Sequence, residues 1–283
     1  MKATPDCIPC FFRQALNTSR MVTADPAVQI EIFSRLARRV PDLDFADTPA
    51  GLSQDVYRII SEVTGIADPY REIKRQTNET AMALLPRLEA TIDQSPDPLR
   101  AAIHLAAAGN VIDLGIGHEF DIEADAVRIM AEPFAIDAYD EFRKELRPGR
   151  RMLYLGDNAG EIVFDRVLVE RLLARGLDVT FSVKAGPIIN DATREDAEAV
   201  GLCRLTRVIT TGSDDIGVRW PNVSHEFAEA FGAADVILAK GHGNFETCCS
   251  RPENLYFLLK AKCELVAAEL GVRLGDVVFK HGG

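Results

Sequence analysis

Three short stretches of this chain set acids, amides and lysines directly after apolar runs. Asp157 and Asn158 follow RMLYLG; Lys184, Asn190, Asp191 and Thr193 follow DVTFSV; Lys240, His242, Asn244 and Glu246, beside two glycines, follow ADVILA. Carboxylate and amide oxygens suit a hard divalent cation, while lysines and the N–H groups of glycine turns suit phosphate oxygens. Together they argue for metal-assisted chemistry on a phosphate ester. The cation would polarise the phosphoryl group, a lysine would hold its peripheral oxygens, and one acid would attack or activate water. Each stretch alone has a plainer reading. Asp157 or Asn158 can cap the helix that follows, and the others can be turns closed by Asx bonds and glycines. Three in succession at one end of one sheet weigh against that reading.

Such residues meet only if the elements before them lie side by side. Met152 to Leu155 has the look of a short buried strand, and Ile162, Val163, Val167 and Leu168 recur at helical spacing after it. From Arg151 onward the runs MLYL, DVTFSV, CRLTRVIT and ADVILAK alternate with helical patterns, which predicts parallel strands joined by crossover helices. Neighbouring strands are about 4.8 Å apart, and ligands of open α/β sheets bind at the strands' carboxyl ends. Upstream, Cys7 to about Ala108 is patterned as helices, broken at TADP, PDLDFADTPAG, GIADP and SPDP, where prolines suit first helical turns. The segment IEADAVRIMAEPFAIDAYDEFRKEL continues that texture. The expected division is a helical region over 1–108, a linking and mostly helical segment over 109–150, and an α/β domain over 151–283.

Composition narrows the partners. Of 283 residues 47% are hydrophobic and 27% charged, an ordinary globular mixture. Forty-three acids against 32 bases leave a net charge of −11 with no long basic run, which argues against nucleic acid. No apolar segment reaches the roughly 18 to 20 residues needed to span a bilayer, and MKATPDCIPC lacks the apolar core of a signal peptide. A cytoplasmic protein without a membrane partner is expected, its six cysteines kept as thiols.

The stretches GDNAGEIVFD, KAGPIINDAT and KGHGNFET, with CIPCFFRQAL at the start and AAAGNVIDLG between, resemble the DUF89 family of ARMT1-like, metal-dependent damage-control phosphatases. The resemblance covers nearly the whole chain, and the CxxC at the start is similar to the compact prokaryotic branch. It implies a helical amino-terminal region packed on a Rossmann-like three-layer α/β domain with a mainly parallel sheet. It also implies a divalent ion (manganese, magnesium, cobalt or nickel) and a small phosphorylated metabolite as substrate. By resemblance the metal ligands are Asp157, Asn158 and Asp191, with Asp157 engaging the phosphoryl group. The phosphate lysine falls at Lys260 or Lys262, where Leu-Lys-Ala-Lys replaces the Arg-Thr-x-Lys of larger members. Glu161, Lys240, Gly241, Asn244 and Glu246 would line the same pocket, with Asn110 and Asp113 reaching it from the linking segment.

Two signals point elsewhere. NVIDLGIG is similar to the glycine-rich loop of S-adenosylmethionine-dependent methyltransferases, although no second strand with a ribose-binding acid follows it. Cys7 and Cys10 form a CxxC that cannot be a thioredoxin motif, because only six residues precede it. A metal site drawing on Cys248, Cys249 or Cys263 with His242 is an open alternative, as is a pair of buried thiols. Trp220 either stacks on a substrate or fills the core. The alternatives to a phosphatase are therefore a phosphometabolite-binding protein without turnover and a carboxyl methyltransferase.

Overall fold

The computed structural model describes residues 1–109 and 132–282. The proline signals mark real helix starts: α1 (Cys7–Val22), α2 (Pro26–Arg39), α3 (Pro49–Thr64), α4 (Arg71–Asp93) and α5 (Pro98–Gly109). Pro26 and Pro49 sit in first turns whose caps, Asp25 and Thr48, accept the Ala27 and Gly51 N–H groups. Helices α1 to α3 enclose their own apolar stripe, with Ala15, Ile32 and Ile60 buried. The α4 and α5 stripes turn to the sheet, where Leu85, Leu88 and Ile103 share a core with Met152, Tyr154 and Phe164.

Among the described residues seven strands form one sheet: β1 (Ile136–Asp137), β2 (Arg151–Leu155), β3 (Asp178–Val183), β4 (Arg207–Thr210), β5 (Val236–Lys240), β6 (Leu255–Lys260) and β7 (Val277–His281). Their order is β1-β7-β6-β5-β2-β3-β4; the β6–β7 pair is antiparallel and the other pairs of these strands are parallel. Along β2 the side chains alternate. Met152 and Tyr154 join the α4–α5 core, whereas Leu153 and Leu155 meet Phe227, Phe231 and Phe257 on the opposite face. Among the described residues the other α-helices are α6 (Tyr139–Glu145), α7 (Glu161–Leu173), α8 (Arg194–Ala199), α9 (Leu202–Leu205), α10 (His225–Ala233), α11 (Gly241–Cys248) and α12 (Glu264–Leu270).

Some local expectations change. CRLTRVIT splits into α9 and β4, because so short a mixed run fits either period and only pairing with β3 settles its second half. Residues 132–138 are not helical: Pro133 precedes β1, which pairs with β7. The rest of that segment, 122–131, lies outside the described residues, as do Asn110, Asp113 and the rest of NVIDLGIG. LYFLLK supplies β6, an apolar run that periodicity alone does not assign. Strands are added outward from β2 in both directions, so a crevice opens where the carboxyl ends of β2, β3 and β5 adjoin.

Candidate functional site

At the end of β2 the chain turns through Asp157 and Asn158 into α7. The N-cap of α7 is Gly160 and no side chain caps it, so helix capping does not account for Asp157 and Asn158. The Gly160 N–H instead donates to Asn78 Oδ1 of α4 at 2.7 Å. The segment after β3 is tied to the same turn: Ala159 N–H donates to Asn190 O, and Ala192 N–H to Asp157 O, each at 2.8 Å. These bonds bridge Asn158 to Asp191. Ile189, just ahead, has φ of 45°, which a β-branched residue adopts only under strain. Lys184 Nζ stands 3.7 Å from Asp191 Oδ2 and donates to the Gly217 carbonyl.

The third strand end lies underneath. Lys240 is fully buried, its ammonium 2.7 Å from Asp165 Oδ1 and 3.4 Å from Glu161 Oε2. Tyr154 donates its hydroxyl to the same Asp165 oxygen at 2.7 Å. Asn244 donates to Gly156 O at 3.1 Å and to Lys240 O at 2.8 Å. Asn158 Nδ2 donates to Glu161 Oε1 at 2.6 Å and to Asp157 Oδ2 at 3.1 Å. Gly241 has φ of 79°, and a Cβ there would lie 1.9 Å from Asp157 Oδ2. The glycine is therefore required by the closeness of the carboxylate as well as by the backbone.

Asp157, Asn158, Asp191, His242, Glu246 and Lys262 line a cavity of about 520 Å³. Among the described residues, Lys260, Lys240, Gly241, Asn244 and Glu161 do not line it. The last four support the turn from below. Of the two lysines Lys262 lines the cavity and Lys260 does not, and the Lys262 charge partly opposes the rise in the Asp157 pKa. His242 Nε2 holds the turn that presents Lys262, lying 2.7 Å from Lys260 O and 2.8 Å from the Lys262 N–H. Either tautomer makes one of those bonds.

The electrostatics show crowding of negative charge. Burial and the charges of Glu161 and Asp191 hold the Asp157 carboxyl well above its ordinary range. Burial also lifts Asp191 to about 6 against the pull of Lys184. Burial raises Glu246 to about 7, although its Oε2 accepts the Ala50 N–H at 2.8 Å. His242 is pushed down to about 4 by burial and by Lys262, so the ring is neutral at physiological pH. Burial opposes the Lys240 ammonium, but Asp165 and Glu161 outweigh it and raise its pKa.

Asn78 and Asp165 support the site without having been singled out by sequence spacing. Cys7 and Cys10 line the cavity together with Cys263. Among the described residues, no group of three or more His, Cys, Asp and Glu side chains is arranged to hold a metal ion. Trp220 packs edge-on against Phe231 beneath the Arg251 guanidinium, 4.1 Å from its ring centre, and lies outside this cavity.

A doubly wound sheet with two carboxylates and an amide at its switch point defines an α/β protein built around an oxygen-donor site. The chain belongs to the damage-control phosphatase ARMT1-like domain family, whose model matches residues 3–278. It is 35% identical to a damage-control phosphatase of Pyrococcus horikoshii, over 98% of this chain and 97% of that protein. It is 33% identical to a damage-control phosphatase of Archaeoglobus fulgidus, over 99% of both. The crystal structure of a DUF89 family protein from Pyrococcus horikoshii superposes with a TM-score of 0.93 at 34% identity, covering 100% of each chain.

Proposed function

We propose that this chain is a metal-dependent phosphatase that hydrolyses monoesters of small phosphorylated metabolites. The observation that carries the reading is the convergence of Asp157, Asn158, Asp191 and Lys262 on one cavity at the sheet's switch point. Family membership supports it, as do relatives named damage-control phosphatases.

A divalent ion fits the donor set. Asp157 and Asp191 offer hard oxygens, and their pKa values are raised first by burial and then by the neighbouring Glu161 carboxylate. The two ends of the Asn158 amide are alike in shape, so a half-turn presents its oxygen where Nδ2 now faces Asp157. Once bound, the ion supplies Lewis-acid polarisation of the phosphoryl oxygens and neutralises charge. Lys262 binds a peripheral phosphate oxygen, and Lys184 keeps Asp191 directed into the cavity. Asp157 engages the phosphoryl group. Across the reaction water adds to phosphorus, the ester P–O bond breaks, and the alcohol leaves with a proton.

The test is phosphate release from a panel of monoesters by chelator-stripped protein, with and without manganese, magnesium, cobalt or nickel. Turnover should return with metal and fall about 10³-fold or more in Asp157→Ala and Asp191→Ala. Undiminished turnover in either variant, or indifference to metal, would overturn the reading.

A further inference from the structure

Besides Asp157, Asn158 and Asp191, the cavity is lined by residues of a different kind. Phe11, Ala50, Ile216 and Leu265 give it apolar walls, and the carboxylates of Asp6 and Glu264 stand at its exposed rim. Among the described lining residues, Lys262 is the one ammonium or guanidinium. The other cations close by are committed elsewhere. Lys184 is held by Asp191 and Gly217, Lys240 is buried against Asp165, Arg219 Nη1 pairs with Asp47 Oδ2 at 3.2 Å, and the Met1 ammonium donates to the Glu246 carbonyl at 2.9 Å.

We infer that, given the phosphatase reading, this site selects monoesters whose alcohol portion is uncharged or cationic and partly apolar, and rejects esters carrying a second phosphate or a carboxylate. A phosphate held by Lys262 leaves no cation for another anion, which would be desolvated against apolar walls and unpaired. It would also face Asp6 and Glu264, and like charges brought together at a binding surface are costly. The amino ends of α1 and α12 would otherwise favour an anion, but Asp6 precedes the first turn of α1 and Glu264 opens α12, so both ends are already complemented. A neutral alcohol loses nothing at the rim, and a cationic one gains from it. His242, neutral because its pKa is near 4, adds no positive charge at physiological pH.

The test uses three phosphomonoesters of similar size: O-phosphoethanolamine, glycerol 1-phosphate and 3-phosphoglycerate. With manganese-loaded protein, kcat/KM for the first two should exceed that for the third by at least about tenfold. The double variant Asp6→Asn, Glu264→Gln should narrow the gap. Equal values for the three esters, or preference for the carboxylate, would overturn the selection while leaving the phosphatase reading intact. A gap unchanged in the double variant would overturn the role of those two carboxylates. If none of the three is cleaved, the wider ester panel decides the phosphatase reading, and calorimetric binding of the same esters to the manganese-loaded protein decides the selection. The same order of affinities sustains it; equal affinities or no binding overturn it.

Discussion

Lys262 and Lys260 differ by two positions and by where their strand leaves them. Lys260 closes β6 away from the cavity wall, while Lys262 reaches the wall and acts electrostatically on Asp157. Removing an ammonium from a developing phosphoryl charge costs about two orders of magnitude in rate. Lys262→Ala should therefore lower kcat/KM about 100-fold with unchanged unfolding, and Lys260→Ala should stay within about threefold. Steady-state phosphate release on both variants checks this; equal losses would overturn the choice of Lys262, and a larger loss in Lys260→Ala would return the assignment to Lys260. Gly241 makes a related point: its missing side chain is what lets the Asp157 carboxylate sit over the start of α11.

Elements carry the site through bonds that span the chain. Asn78, buried on α4, accepts the Gly160 N–H at 2.7 Å and donates to Asp196 Oδ1 at 2.9 Å. One amide thereby fastens the Asp157–Gly160 turn and the start of α8 to the helical region. Asn78→Ala leaves a buried donor and a buried acceptor unpaired, a cost of about 2–3 kcal/mol. Urea unfolding should show that loss. Metal affinity should weaken with it, since the turn presenting Asp157 and Asn158 is no longer anchored. A variant of wild-type stability would show that the bond is dispensable. The Lys240, Asp165 and Tyr154 group plays a matching part from below, joining β5, α7 and β2 through one carboxylate.

At the scale of the whole molecule, the contact between the amino-terminal helices and the sheet domain has a titratable group in it. Glu246 on α11 accepts the Ala50 N–H at the start of α3, and burial raises it from 4.5 to about 7. A carboxyl raised on folding favours the folded state below its unfolded pKa, and that contribution is lost as pH climbs through the folded value. Between about pH 4.5 and 7, Glu246 should thus withdraw on the order of 3 kcal/mol. Glu246→Gln should flatten the corresponding fall in stability. Chemical denaturation of both proteins at pH 4.5 and pH 8 tests it, and parallel pH profiles would contradict it. Among the described residues no helix is long and apolar enough to cross a membrane.

Local pattern was enough for what local physics controls. The helix starts at Pro26, Pro49 and Pro98 follow from fixed proline geometry, and strands β2, β3 and β5 follow from short apolar runs ending in polar residues. Asp157 and Asn158 drew attention because they stand just after such a strand, and Asp191 because it lies in the polar stretch that follows β3. Resemblance supplied two lysines and could not choose between them, since two residues at a strand end differ only in where the tertiary fold sends them. The same holds for Lys240, whose position in KGHGNFET points to a pocket while its ammonium is turned inward to Asp165. Asn78 and Asp6 gave no sequence signal as site residues, because their partners are brought near only by packing the helices against the sheet. The sequence by itself determined the elements and the donors at their ends; the tertiary structure alone decided which side chains face the cavity and which hold it up, because burial and charge pairing are properties of the packed chain.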